Sequence, residues 1–226
     1  MNHLPELLLV DKPRGMSSFD VIRHLRRQTG VRKFGHAGTL DPLASGLMLI
    51  GVEQGTKKLG ELIKLDKEYI AEVRIGETRT TGDLEGEIVD ECKVTEPVEI
   101  LQGKISTALR SFPGTRALPV SAYSAIKVDG VRMYERAREA ALSGDTVIDI
   151  PMREMTIHEV ELLSVTMSDA RAVATIRFAV ASGTYIRSLA EELGRRIGYP
   201  ATLQNLRRTK VGQYSLEDVQ QLKEIR

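Results

Sequence analysis

A single cysteine, Cys92, in 226 residues excludes an intramolecular disulfide and leaves no thiolate cluster for zinc or iron–sulfur. The histidines are few and scattered (His3, His24, His36 and His158), without the close spacing of metal ligands, so the chain is expected to work without a metal. Long apolar runs are missing too. The stretch nearest the N-terminus, Leu7 to Val10, is too short for a signal-peptide core or a membrane span, which points to a cytoplasmic protein that touches no membrane. Neither a Gly-rich dinucleotide fingerprint nor a phosphate-binding loop occurs, so no NAD or ATP cofactor is expected. Tryptophan is absent, and a formal net charge of +1 excludes nucleic-acid binding by bulk charge.

Charge is instead scarce in one place and crowded in others. From Phe34 to Thr56 there is no Lys or Arg, although the chain has 32, while Arg32-Lys33 and Lys57-Lys58 close the stretch on both sides. Inside it lies Gly35-His36-Ala37-Gly38-Thr39-Leu40-Asp41-Pro42-Leu43-Ala44-Ser45-Gly46, with a single carboxylate, Asp41. Pro42 pushes the backbone at Asp41 toward an extended conformation. Asp followed by Pro is equally the pattern of a helix N-cap with proline in the first turn. The next run, Leu47 to Val52, reads better as a buried strand, and a strand end is a common seat for a catalytic side chain. Basic residues gather in four clusters. The first is Arg14, Arg23, Arg26, Arg27, Arg32 and Lys33 against Asp20; the others are Lys127, Arg132, Arg136 and Arg138, then Arg195-Arg196, then Arg207, Arg208 and Lys210. Glu77 to Glu99 is acidic. Any one cluster is readily a solvated helix face, but four of them predict a basic surface suited to a phosphate backbone.

Along the chain, Leu7 to Val10 reads as a strand and Asp11 to Gly15 as a turn. Ser17 and Asp20 have capping-box spacing and open a helix to about Gln28, with Val21, Ile22 and Leu25 inward and Arg23, Arg26 and Arg27 outward. Lys67 to Ile75 alternates as a half-buried strand does, with Tyr69 on the apolar side. Gly76 to Gly86 reads as a Thr- and Gly-rich loop containing Asp83. Helices are predicted at about Glu99–Arg110, Val131–Leu142 and Tyr185–Ile197, the last with Arg187 in its first turn, and strands at about Met155–Ser164 and Ala172–Val180. Strands are not regularly followed by crossover helices, so the class is α+β with a mixed, largely antiparallel sheet.

These residues together resemble the TruB-type pseudouridine synthases. The Gly35–Gly46 stretch is similar to the family's catalytic motif. It is joined in order by Asp11-Lys12-Pro13-Arg14-Gly15, Lys67-Glu68-Tyr69, Thr81-Gly82-Asp83, Tyr123-Ser124-Ala125-Ile126-Lys127, Gly183-Thr184-Tyr185-Ile186-Arg187, and Leu206-Arg207-Arg208-Thr209-Lys210-Val211-Gly212. The resemblance implies the pseudouridine synthase fold, with helices and RNA-binding loops around the central sheet. It also implies conversion of uridine 55 in the T loop of tRNA to pseudouridine, by base flipping and without cofactor or metal. Asp41 is implied as the essential carboxylate, able to attack carbon or remove a sugar proton and to stabilise positive charge at C1′. Arg187 is implied as its cationic partner and Tyr69 as the ring stacked under the flipped uracil, so that these three form the catalytic set. His36 is implied to fill the gap left by the extruded base, Tyr185 and Leu206 to line the pocket, Asp83 to contact the target or its neighbours, and Lys12 and Lys127 to bind substrate.

Three departures from the family qualify the match. The chain ends soon after Lys210-Val211-Gly212, where many bacterial members continue into a C-terminal PUA-type domain; residues 1–226 are therefore expected to form one catalytic domain lacking it. Paired prolines near Tyr123 are reduced to Pro119, and Ala137-Arg138-Glu139-Ala140 lacks a customary glycine, so an RNA-gripping insertion at about 122–150 is expected to differ in shape. The partner is expected to be the T arm of tRNA, with no protein partner implied and a monomer as the state. The rival readings are the guide-RNA-particle type, whose extra domains and basic tails are absent from this sequence, and an RNA-binding or tRNA-folding module without catalysis.

Overall fold

Alternation along strands and capping at helix ends define most elements of the computed structural model, which describes residues 4–121, 123, 126–128, 130–143 and 150–219. β1 (Leu7–Lys12) alternates half-buried and buried side chains. Ser17 caps α1 (Ser18–Thr29) through a complete capping box with Asp20, and Gly30 closes it in the left-handed conformation. Val21, Ile22 and Leu25 are buried and the helix's arginines exposed, as the sequence predicts. β2 (Phe34–His36) pairs with β3 (Ser45–Val52), and β3 is buried at every residue after the first. A 3₁₀ turn (Glu53–Lys58) and the one-turn α2 (Leu59–Leu62) lead to β4 (Lys67–Ile75), whose bounds are those the alternation gives.

The predicted loop at Gly76–Gly86 contains a strand instead: β5 (Glu77–Arg79) pairs with β6 (Ile88–Glu91). Its cause is tertiary. Glu77 is fully buried, with Arg79 at 2.7 Å and Arg171 at 2.8 Å from its carboxylate, and no local pattern announces that cluster. There follow α3 (Val98–Leu109), β7 (Gly114–Pro119), β8 (Lys127–Val128), β9 (Val131–Arg132), α4 (Met133–Ser143), β10 (Met152–Ser168), β11 (Arg171–Val180), α5 (Ile186–Ile197), β12 (Ala201–Val211) and β13 (Tyr214–Ser215). Of the insertion at about 122–150, residues 122, 124, 125, 129 and 144–149 lie outside the described residues; the described part holds the β8–β9 hairpin and α4.

The chain divides into two compact units, Met1–Ala71 with Arg177–Gly183 and Asn205–Arg226, and Glu72–Ile176 with Thr184–Gln204. In the first unit the hydrogen-bonded order is β1-β3-β12-β4-β11, with β2 on β3 and β13 on β12. β1 is antiparallel to β3, whereas β12 joins β3 in parallel through Arg207↔Ser45 and Arg208↔Gly46. Its core gathers Ala37, Leu47, Leu49 and Val211, with Leu7, Leu9, Leu59 and Leu62 against them. In the second unit the order is β12-β4-β11-β10-β7, and α3 packs on β10 and on α5. The result is an α+β fold with a mixed, largely antiparallel sheet. Among the described residues no helix is long and apolar enough to cross a membrane.

Candidate active site

Asp41 opens a β-turn and caps no helix. The N–H of Ala44 donates to the carbonyl of Asp41 at 3.0 Å, with Pro42 at the second position, where its fixed φ suits such a turn, and the chain then enters β3. Several backbone groups around it have partners distant in sequence. The hydroxyl of Ser18, the first residue of α1, accepts from the N–H of Leu40 at 2.8 Å and donates to its carbonyl at 3.0 Å, while Gly15 N–H donates to Pro42 O at 2.7 Å. Arg208 then staples the two ends of the loop: its Nε donates to Leu47 O at 2.7 Å and its Nη2 to Gly38 O at 3.2 Å. Asp41 itself is half-buried. A carboxylate is thereby presented on a loop whose backbone has little freedom to move, which is the preorganisation a reacting group needs.

Among the described residues of this unit three cations are buried, Lys12, Lys67 and Arg208, each on the apolar row of its strand. Lys12 follows Leu8 and Val10, Lys67 precedes Tyr69 and Ala71, and Arg208 follows Leu206. Register places Gly46 opposite both Lys12 on β1 and Arg208 on β12. Lys12 Nζ donates to Met16 O at 2.6 Å and to Pro13 O at 3.1 Å, fixing the turn whose Gly15 holds Pro42. Lys67 Nζ donates to Ile63 O at 2.6 Å and Ser182 Oγ at 2.9 Å. Burial, then the charge of Arg208, depresses Lys67 to about 8 against the pull of Asp66.

That depression has a pH signature. The unfolded chain keeps the Lys67 proton to about its ordinary 10.5, whereas the fold releases it near 8, so between these values the unfolded state binds more protons and stability rises with pH. Urea titrations at pH 7.5 and 9.5 are expected to show a gain for the wild type that Lys67→Met lacks. Identical pH dependence in the two proteins would show that Lys67 keeps its ordinary proton affinity.

His36, at the end of β2, is half-buried, and burial together with Arg208 lowers its pKa against an opposing hydrogen bond with the Gly38 backbone, so the imidazole is neutral at neutral pH. Tyr69 and Leu206 are both buried, on β4 and β12. In the second unit, Arg187 lies in the first turn of α5, buried, with Nη1 donating to Thr81 O at 2.9 Å and Ser121 Oγ at 2.8 Å and Nη2 to Tyr123 O at 3.2 Å. Asp83 is 3.9 Å from it and buried; its Oδ1 accepts from the Thr81 hydroxyl at 2.5 Å and from Glu85 N–H at 3.1 Å. Arg187 and Asp83 are thus brought together on the Thr81 loop. Tyr185 precedes α5 and is half-buried, and Lys127 pairs with Arg132 through the backbone of β8 and β9.

Sequence reading assigns no role to Ser18, Lys67 or Ser121, and it counts Arg208 toward a basic surface, whereas Arg208 is buried and holds the loop. For Lys67 a signal existed, since period-two parity puts it on the same face as Tyr69, Ala71 and Val73. For the loop contacts of Ser18 and Arg208, 22 and 161 or more residues away in sequence, there was none.

The model of the TruB family pseudouridylate synthase N-terminal domain matches residues 26–186, ending one residue before Arg187. The tRNA pseudouridine synthase B of Corynebacterium diphtheriae is 40% identical over 219 residues, covering 97% of this chain and 71% of that one. The protein of the same name from Leifsonia xyli is 40% identical over 216 residues, covering 96% and 70%. Among solved structures, a chain of a Cbf5-Nop10-Gar1 complex superposes with a TM-score of 0.70 at 24% identity, covering 96% of this chain and 52% of that chain. One from an H/ACA RNP bound to a substrate RNA containing 2′-deoxyuridine gives 0.67 at 23%, covering 96% and 51%. The chain spans about half the length of these two, and at such identities they establish the fold alone.

Proposed function

The chain belongs to the TruB family of pseudouridylate synthases, and from that premise we propose that it isomerises uridine to pseudouridine at position 55 in the T loop of tRNA. In this reaction the bond from ribose C1′ to N1 breaks, the uracil turns, and C1′ rejoins at C5. The C5 hydrogen leaves as a proton and N1 gains one, so the balance needs no oxidant, reductant or second substrate. The observation that carries the reading is the stapled turn, which holds one half-buried carboxylate between Ser18 and Arg208. Asp41 serves as the essential carboxylate, assisting bond cleavage at C1′. Arg187 supplies the cation in the catalytic set, and Tyr69 supplies a ring face for the flipped base. His36, as a neutral ring, fills the space the base vacates. Tyr185 and Leu206 supply apolar surface to the base, Asp83 orders the Thr81 loop next to Arg187, and Lys127 binds substrate, whereas Lys12, fully buried on the carbonyls of Pro13 and Met16, acts by fixing its turn instead of touching substrate. The enzyme meets the T arm as a monomer in the cytoplasm.

A T-arm transcript tritiated at uridine C5 tests this, because C–C bond formation must expel that hydrogen. Release is expected to reach one tritium per transcript and to vanish when position 55 is changed to cytidine with the other uridines still labelled. A wild-type protein that releases none would sink the reading.

A further inference from the structure

The four basic clusters of the sequence do not carry equal charge to the surface. Arg195 and Arg196 both pair with the carboxylate of Glu192. Arg207 pairs with Asp11 at 2.7 Å and Lys210 with Glu68 at 3.6 Å, while Arg208 is buried on the carbonyls of Gly38 and Leu47. The cations of these two clusters thus each meet a carboxylate or a backbone carbonyl of the protein itself. In the cluster from Lys127 to Arg138, Arg136 donates to Val128 O and Arg132 to the Tyr134 hydroxyl. The first cluster differs: Arg26, Arg27, Arg32 and Lys33 are exposed, and among the described residues none of them meets a carboxylate.

A second observation falls on the same helix. Phe19 is 54% exposed, and the guanidinium carbons of Arg23 and Arg26 lie 5.6 and 5.8 Å from its ring centroid. At about 100° per residue, positions 19, 23 and 26 fall within roughly 60° of one another on α1. Arg23 also pairs with Asp20, the one acid of the cluster. An exposed ring layered with guanidinium planes is a stacking platform for ribose or base, and unpaired cations beside it suit phosphates. The residue before Phe19 is Ser18, whose hydroxyl holds Leu40 next to Asp41, so this face begins beside the turn that carries the carboxylate.

We propose that the outer face of α1 and the turn after it, comprising Phe19, Arg23, Arg26, Arg27, Arg32 and Lys33, is the docking surface for the phosphate backbone of the tRNA substrate. The identity of the RNA rests on the functional reading above; the surface itself rests on charge and exposure. Docking there neutralises several phosphates and leads the backbone past α1 toward the Asp41 turn. Affinity therefore falls steeply with salt, each phosphate contact adding about 0.7–0.9 to the slope of log affinity against log salt concentration.

The test is equilibrium binding of an unmodified tRNA transcript to the full chain across a KCl series, run beside tritium release so that the two readings fail separately. Arg26→Glu with Arg27→Glu is expected to weaken binding about tenfold or more near 0.1 M salt and to flatten the slope by about 1.5–2. Phe19→Ala is expected to weaken binding several-fold with the slope unchanged. Arg195→Glu, a charge reversal in an internally paired cluster, is expected to leave the slope within about 0.5 of wild type. Circular dichroism melts establish that each variant is folded; these side chains are exposed, so none is expected to unfold. An unchanged slope in the Arg26/Arg27 variant overturns the proposal, and so does an equal flattening by Arg195→Glu, which would reduce the effect to net charge. Binding is measured without turnover, so absence of tritium release counts against the catalytic reading and leaves the surface to be judged by its slope.

Discussion

Asp41→Asn is expected to lower tritium release from the C5-labelled transcript by about three orders of magnitude or more, with transcript affinity changed less than about threefold and melting temperature shifted by less than about 2 °C. The contrast follows from how the turn is built. The hydrogen bonds described above use the carbonyls of Asp41 and Pro42, the N–H and carbonyl of Leu40, and the Arg208 staple, and these survive replacement of a carboxylate by an amide of equal size. An amide cannot act as a nucleophile toward carbon or take a proton at neutral pH, so the loss should fall on turnover and spare affinity. Single-turnover assays at saturating protein separate the two. Release comparable to wild type would remove Asp41 from the catalytic role, and a folded Asp41→Asn protein that no longer binds RNA would make it a binding residue instead.

Gly46→Ala is expected to be the most damaging single methyl group in this loop, destabilising the protein by about 4 kcal/mol or more. Gly46 has φ +108, which side-chain-bearing residues rarely adopt, and a Cβ there would lie 2.3 Å from the carbonyl oxygen and 2.7 Å from the amide nitrogen of Arg208. Those atoms are backbone of the neighbouring parallel strand, so no rotamer change can relieve the overlap; β3 and β12 would have to separate where Arg208 staples the loop. Gly30 is the control. It has φ +72 at the end of α1, but nothing lies within 4 Å of its absent Cβ, so Gly30→Ala should cost only about 1 kcal/mol of backbone strain. Urea unfolding followed by circular dichroism measures both. If Gly46→Ala costs no more than Gly30→Ala, the two strands do not approach as closely as described.

What the sequence discloses depends on how far apart the interacting residues are. α1 is legible because its capping box and apolar stripe lie within 12 residues, and β4 because alternation needs no partner to be seen. β12 is not, since its run mixes Leu206 with Gln204, Arg207 and Lys210, and its strand character comes from β3 and β4 on either side. Asp41 could be picked out from the lack of neighbouring charge, but the choice between helix cap and strand-end turn needed the Ala44-to-Asp41 bond. Basic clusters could be counted but not weighed. Whether Arg207 is free depends on Asp11, 196 residues away, so the sequence offers four equal candidates, whereas among the described residues Arg26, Arg27, Arg32 and Lys33 stand exposed with no carboxylate partner.

The span between Leu47 and Arg208 also bears on how the protein is made. Synthesis is vectorial, and the loop carrying Asp41 leaves the ribosome long before the arginine that closes it, 161 residues later. At about 5–20 residues per second, that interval lasts roughly ten to thirty seconds, during which the carboxylate exists in the nascent chain without its seat. Contacts of such separation are also the slowest to form after release, because the loop entropy must be met before they stabilise anything. Competence to modify RNA is thus acquired only once β12 has been made: a chain stalled before β12 carries Asp41, Tyr69 and Arg187 and is expected to be inert.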